Sequence, residues 1–186
     1  MAAFAASAGA QSGSAPSPSA VFSADAVKAA YIINFIRFTE WPSSSGGASF
    51  VIGIAGNHEL EDQLWKVADG KLVQGRTIRV RRLTTIGDVS DCQVIYVQAA
   101  PPRSEAVVVT TEEWLAAVRG KAVLTVASEP GFLNKGGIIN FYAEGNNLRF
   151  EIAPRTAESV GLRLSSRLLA LARIVNPTAN VNPPSQ

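Results

Sequence analysis

Residues 50–70, "FVIGIAGNHELEDQLWKVADG", contain the pattern that decides the fold of this chain. The first seven residues form a continuous apolar run that ends at a glycine, as is typical of a parallel strand buried on both faces. Asn57 follows as a helix N-cap, and apolar residues then recur at helical spacing until Gly70 ends the helix. The stretch therefore predicts a buried strand over 50–56 and a helix over 57–70.

Strands and helices continue to alternate on both sides of this stretch. The further predicted elements are helices over 24–41 and 110–120, strands over 77–83, 93–98 and 122–127, a β-hairpin over 138–152, and a last helix from Pro154 to Val175. Alternation followed by a hairpin predicts a single α/β domain. We expect a mostly parallel central sheet, helices on both faces, and the antiparallel C-terminal β-hairpin at its edge.

The hairpin gives the clearest local signal in the sequence. Two alternating segments are joined by the short turn "EGNN". Leu148, Phe150 and Ile152 should point to the core, while Arg149 and Glu151 point the other way. Glu151 is therefore expected to face solvent.

The first helix carries more aromatic side chains than one buried face requires. In "YIINFIRFTEWP", residues 31–42, isoleucines at helical spacing give the buried face, and Pro42 should end the helix at Trp41. Phe35, Phe38 and Trp41 lie outside that stripe. They are predicted either to fill the core or, where exposed, to form a dimer or partner patch.

Composition excludes one class of partner and divides the chain into three predicted segments. Of 186 residues, 47% are hydrophobic and 17% charged, and a formal net charge of +2 without a dense basic run argues against nucleic acid as a partner. Residues 1–22 are interpreted as the trimmed end of a secretory signal, with Ala8 and Ala10 resembling a cleavage site, or as a disordered Ala/Ser tail. The α/β domain is predicted over 23–175 and a disordered tail over 176–186.

Residue types that usually perform catalysis are scarce. The single histidine, His58, and the single cysteine, Cys92, cannot make the usual zinc cluster, and no G-x-S-x-G motif occurs. His58 is predicted to be a solvated surface residue and Cys92 a buried small hydrophobe. Neither an enzymatic activity, a metal nor a cofactor is predicted.

Six stretches, taken together and in chain order, resemble the YfiR-like family of bacterial periplasmic proteins. They are "KAAYIINFIRFTEWP" (28–42), "GKLVQGRTIRVRRL" (70–83), "DCQVIYV" (91–97), "VLTVASEPGFLNKGGIINF" (123–141), "LRFEI" (148–152) and "GLRLSSRLLALARIV" (161–175). The resemblance runs from Val27 to Val175 and so covers nearly the whole predicted domain.

This resemblance implies a periplasmic repressor of a membrane-bound diguanylate cyclase of the YfiN type, which lowers cyclic di-GMP and restrains biofilm formation. It also implies an outer-membrane OmpA-like lipoprotein of the YfiB type that sequesters the repressor, and a homodimer. Within this family, YfiR is stabilised by disulfides. This chain departs from it there, because Cys92 alone cannot form an internal disulfide.

A partner-binding or ligand-binding surface is predicted around the hairpin edge and the last helix. Its candidate residues are Glu151, Arg155, Arg163, Ser165 and Arg167. Arginine suits bidentate recognition of carboxylates or phosphates, and the serine adds a hydrogen-bonding group. The alternative is a solvated helix face with charge pairs along the helix.

Two other functions compete with protein-binding regulation. The first is a periplasmic small-ligand sensor with a pocket at the carboxyl ends of the parallel strands, near Gly56 and Glu129. The second is an enzyme of unknown class, which would require His58 or several carboxylates to line one cleft. A surface-exposed His58 would count against the enzyme.

Overall fold

The computed structural model describes residues 23–43, 47–98 and 109–177. Within these ranges the chain forms ten β-strands and five α-helices. The strands are β1 (Thr39–Glu40), β2 (Ser49–Ala55), β3 (Leu72–Val73), β4 (Arg76–Arg82), β5 (Val94–Val97), β6 (Leu124–Ala127), β7 (Ile139–Glu144), β8 (Asn147–Ile152), β9 (Arg163–Leu164) and β10 (Arg173–Ile174). The helices are α1 (Ala24–Arg37), α2 (His58–Val67), α3 (Thr111–Ala117), α4 (Pro154–Ser159) and α5 (Ser166–Leu169).

Eight strands form one mixed sheet in the order β10-β8-β7-β6-β5-β2-β4-β3. Neighbouring strands run parallel except in the pairs β3–β4 and β7–β8. The predicted α/β fold with a mostly parallel sheet is confirmed. The hairpin lies near the edge, as predicted, but the two-residue strand β10 covers the end of β8.

Helices cover both faces of the sheet. On one face, Ile32 of α1 and Leu60 of α2 belong to the same buried cluster as Ile52 of β2. On the other face, Trp114 of α3 packs in a second cluster with Ile95 of β5. The central strands are therefore buried on both sides, which explains their continuous apolar runs.

Helix α1 is shorter than predicted, because it ends at Arg37 rather than Trp41. The hydroxyl of Thr39 donates to the carbonyl of Phe35 at 2.7 Å, which satisfies one carbonyl of the last turn. Thr39–Glu40 then forms β1 and pairs antiparallel with β9. A distant part of the chain thus converts the predicted end of the helix into a strand.

The predicted last helix from Pro154 to Val175 is wrong. The segment forms α4, β9, α5 and β10 in succession. Helix α4 ends at Ser159, and Gly161, just beyond its end, has φ +81°. The N–H groups of Gly161 and Leu162 donate to the carbonyls of Glu158 and Ala157, respectively. These two bonds form a Schellman motif, which ends the helix after six residues.

Because α4 ends early, the residues of the predicted apolar stripe do not lie on one face of a single helix. Leu168 is buried, whereas Leu171 is 71% exposed. Val160 and Leu164 are half-buried against the main core. The spacing of these residues matched a helix, but tertiary contacts divide them among different elements.

The hairpin forms where it was predicted, with two of the three predicted core residues of its second strand buried. Glu144 pairs with Asn147 across the turn, and Phe150 and Ile152 are 3% and 0% exposed. The predicted secretory-signal remnant, with Ala8 and Ala10, lies outside the described residues, as does the C-terminal tail from residue 178 onwards.

Candidate functional site

A surface groove of about 580 Å³ lies beside the two-stranded sheet formed by β1 and β9. We call it the β1–β9 groove. Its lining residues are Glu40, Trp41, Pro42, Ser43, Glu158, Gly161, Leu162 and Arg163. The segment that follows α1 and the Schellman turn of α4 therefore build the two sides of the groove, next to the paired strands β1 and β9.

The aromatic wall of the groove is held by a stack of three side chains. The ring of Trp41 lies 5.0 Å from that of Phe50, and the guanidinium of Arg76 lies 3.8 Å from the centre of the same Phe50 ring. Arg76 also donates to the carbonyl of Ser49 at 2.7 Å, and its burial lowers its pKa from the ordinary value. The stack fixes the side chain of Trp41 at the groove. Anchored aromatic side chains of this kind contribute much of the binding energy of protein interfaces.

Charges of both signs surround this aromatic wall. Glu40, Glu158 and Arg163 are all exposed, and none of them has a salt-bridge partner among the described residues. A half-buried tryptophan with unpaired charges around it suits recognition of another protein surface. The groove contains no histidine or cysteine.

The structure separates the five residues predicted to form one partner site. Arg163 lies in β9 and lines the groove, while Arg155 lies in the first turn of α4 and Arg167 in α5. The hydroxyl of Ser165 accepts a hydrogen bond from the N–H of Leu168 and so caps α5. Within the described chain, no hydrogen bond or ion pair joins any two of the five.

Glu151 does not face solvent as predicted, since its side chain is only 12% exposed. Its carboxylate pairs with Arg173 and accepts a hydrogen bond from the side-chain amide of Asn140 at 3.0 Å. The guanidinium of Arg173 also lies 4.3 Å from the ring of Tyr142. Arg173 was not among the predicted site residues, because it reaches Glu151 only through the pairing of β10 with β8.

The polar contacts of Glu151 continue across the sheet to helix α3. The side-chain oxygen of Asn140 accepts from the backbone N–H of Glu129 at 2.9 Å. The Glu129 carboxylate in turn accepts from the hydroxyl of Thr111 at 2.6 Å and pairs with Lys135. This pairing raises the pKa of Lys135, so the ammonium stays charged. Glu129 is thus part of a structural network.

The other part of the predicted ligand pocket is also occupied by internal contacts. Strands β4 and β5 lie on opposite sides of β2, which makes the carboxyl end of β2 a topological switch point. There the side chain of Asn57 caps α2 and donates to Asp25 at 3.1 Å and to Gln98 at 2.8 Å. The polar side chains next to Gly56 are therefore hydrogen-bonded to one another.

The three aromatics of the predicted patch have different environments. Phe35 is fully buried and lies 5.0 Å from Phe150 and 5.6 Å from Phe141, so it fills the core. Phe38 is half-buried against the same core. Of the three, only Trp41 lines the groove.

The lone histidine and the lone cysteine lie where the sequence predicted. The side chain of His58 is 71% exposed, and its Nδ1 lies 3.6 Å from Glu61. Cys92 is 4% exposed, and burial raises the pKa of its thiol to about 11. The described part of the chain holds no group of three residues able to bind a metal. It also holds no helix long and apolar enough to pass through a bilayer.

A family model described as YfiR/HmsC-like matches residues 25–173. The chain belongs to the YfiR/HmsC-like family. The resemblance noted in the sequence is thereby confirmed. YfiR/HmsC-like proteins are periplasmic and regulate cyclic di-GMP signalling.

Among solved structures, a conserved domain protein of Vibrio cholerae O1 biovar El Tor strain N16961 has a similar fold. The TM-score is 0.52 at 12% sequence identity, and the match covers 81% of this YfiR/HmsC-like chain. This chain spans 60% of the length of the Vibrio chain. At that identity the likeness concerns the fold alone. No curated protein matches the sequence.

Proposed function

We propose that this chain is a periplasmic, non-catalytic repressor that binds the periplasmic sensor part of a membrane-bound diguanylate cyclase of the YfiN type. Holding the sensor inactive would lower cyclic di-GMP and restrain biofilm formation. The observation that carries the proposal is the family match over residues 25–173, which includes nearly every described residue. Regulation by protein binding also agrees with a surface groove that presents Trp41 among charged side chains.

Repression by binding needs a difference in affinity between two states of the cyclase. A protein that binds the inactive sensor more tightly than the active one shifts the population towards the inactive state. A shift from 1:99 to 99:1 requires a preference of about 10⁴-fold. The β1–β9 groove offers a fixed aromatic side chain, Trp41, for affinity, and it offers Arg163, which has no ion-pair partner among the described residues, for selectivity.

The same surface can account for release of the cyclase. An outer-membrane OmpA-like lipoprotein of the YfiB type would sequester the repressor, and competition for the β1–β9 groove would make the two complexes mutually exclusive. A homodimer would present two such grooves. Because Cys92 is buried and is the single cysteine, we propose that control in this member does not depend on an internal disulfide.

The test is the cyclic di-GMP level of the native host with and without the gene. Deletion should raise the level, and an exported copy, but not a cytoplasmic copy, should restore it. An exported Arg163→Glu copy should fail to restore it, whereas Arg167→Glu, on α5 outside the groove, should succeed. An unchanged level on deletion would refute repression of a cyclase, and full activity of Arg163→Glu would refute the groove as its binding surface.

A further inference from the structure

One stretch of the large sheet has an uncovered edge. Strand β10 pairs with β8 only at Glu151 and Ile152, so from Asn147 to Phe150 no described strand lies on the outer side of β8, away from β7. The uncovered stretch follows directly from the hairpin turn. Uncovered strands of this kind are where proteins add a strand from another chain.

The direction of the backbone groups on this edge follows from two hydrogen bonds. Ala153 donates its N–H to Ile138 on the β7 side, and the carbonyl of Ile152 accepts from Val175 on the outer side. Backbone groups alternate along an antiparallel strand, so Leu148 and Phe150 turn their N–H groups to the outer side like Ile152. Neither N–H has an acceptor among the described residues.

A groove of about 540 Å³ lies between α1 and the hairpin, and the start of β8, residues 147–149, forms part of its lining. Its apolar wall comes from Ala24, Val27 and Tyr31 of α1, and its other wall from the hairpin, including Leu148 and Arg149. The groove shares no lining residue with the β1–β9 groove. The two surfaces are therefore separate.

We propose that this edge and its groove, which we call the β8 edge site, bind an extended segment of a partner protein as an added strand. The segment places an apolar side chain against Val27, Tyr31 and Leu148, and a carboxylate next to Arg149. Backbone hydrogen bonds supply affinity in this mode of binding, and the side-chain contacts supply specificity. The proposal does not depend on the function proposed above, because it uses different residues.

The spacing of the two outward N–H groups fits an extended chain as the occupant of the site. The N–H groups of Leu148 and Phe150 lie two residues apart on one edge, a separation of roughly 6.8 Å that matches alternate carbonyls of another strand. Arg149 is available to the partner's carboxylate because it is 54% exposed and its present pair with Glu144 is exposed as well. Exposed ion pairs contribute little to stability and exchange readily.

A second copy of the chain fits this edge less well. An antiparallel pairing of two β8 strands that uses the N–H groups of both Leu148 and Phe150 places Leu148 opposite Phe150 of the other copy. Arg149 then lies directly opposite the same arginine of the second copy. Like charges at directly opposed positions destabilise a strand pair. The site therefore favours an acidic partner over self-pairing.

The experiment selects binders to the full chain from a displayed library of random heptapeptides. Enriched peptides should combine alternating apolar residues with an acidic residue. Binding of such a peptide should slow the exchange of the Leu148 and Phe150 amide hydrogens about tenfold or more, measured by NMR, because both become hydrogen-bonded. The exchange measurement uses the unmodified protein, so it does not depend on any variant folding.

Two variants distinguish the contribution of the Leu148 N–H to peptide binding from that of the Leu148 side chain. Leu148→Pro removes an outward N–H that bonds nothing in the described structure, which an edge strand tolerates, and should weaken peptide binding about tenfold. Leu148→Ala keeps the N–H and should weaken binding less. The proposal is overturned if no peptide is enriched over bare support, or if Leu148→Pro binds peptide as well as the unmodified chain. It is overturned in favour of self-pairing if the two amides become protected with rising protein concentration alone.

Discussion

The guanidinium of Arg173 in β10 is paired with the carboxylate of Glu151 in the neighbouring strand β8, and the two residues are 22 positions apart in the sequence. The carboxylate is 12% exposed and the guanidinium side chain 58% exposed. Asn140 donates a further hydrogen bond to the same carboxylate. The residue that sequence reasoning assigned to partner binding thus serves to hold the last strand on the sheet.

Replacing Glu151 should therefore destabilise the fold. Glu151→Ala leaves the side-chain amide of Asn140 without its acceptor and Arg173 without its partner, which should cost about 1–3 kcal/mol in the free energy of unfolding measured with urea. Glu151→Gln keeps a hydrogen-bond acceptor and should cost less. Arg173→Ala, on the exposed side of the pair, should cost less than Glu151→Ala, because solvent screens the guanidinium. A Glu151→Ala protein as stable as the unmodified chain would contradict this role.

The end of helix α4 depends on the conformation of Gly161. At φ +81°, a Cβ clashes with the backbone, so Gly161→Ala should lower the free energy of unfolding by about 1–2 kcal/mol. Gly87→Ala is the matched control, because its Cβ would meet its nearest neighbour at 3.8 Å and its φ is not in the left-handed region. Thermal melting of both variants measures the difference. Equal losses would show that the conformation at Gly161 is not what matters.

A second glycine is required by close packing rather than by its backbone angle. A Cβ at Gly137 would overlap the ring of Phe132, which is fully buried. Gly137→Ala should therefore destabilise the protein by about 1–3 kcal/mol. Adding Phe132→Leu should recover part of that loss, giving a coupling of about 1 kcal/mol in a double-mutant cycle measured by urea unfolding. Strictly additive losses would mean that the ring is not the obstacle.

Cys92 should be inert in the native protein. Burial raises the pKa of its thiol from 9.0 to about 11, so the neutral thiol is the form that the fold stabilises. This contribution to stability is fully present below pH 9.0 and is lost as the pH rises towards about 11, because the unfolded thiol ionises first. A thiol reagent at pH 8 should label Cys92 only after unfolding in urea. In Cys92→Ala, this loss of stability between pH 9 and 11 should be absent, and rapid labelling of the native protein would contradict the burial.

Much of the central fold could be predicted because its signals are local. The apolar run over 50–56 and the cap at Asn57 predicted β2 and α2, and Asn57 does accept from the N–H of Leu60. The hairpin was also predictable, because a short turn between two segments of alternating side chains marks it in the sequence.

The sequence contains a local signal for the end of α4, but the helical spacing of the residues after it favoured a longer helix. Gly161 followed by an apolar residue, Leu162, is the sequence pattern of a Schellman motif. The helical spacing of the leucines after it predicted one long helix instead. Periodicity in a short segment is a weak guide, because tertiary packing decides whether a short helix forms.

The sequence by itself determined the class of fold, the buried strands, the hairpin, and the family resemblance that the family match confirmed. Only the tertiary structure decided the pairing of Thr39–Glu40 with β9, the ion pair of Glu151 with Arg173, and the position of Trp41 on Phe50. The first two join residues far apart in the chain, and the third brings Trp41, which follows β1, against Phe50 in β2. Such contacts form only when the whole core has brought their backbones together, so no local pattern of residues encodes them.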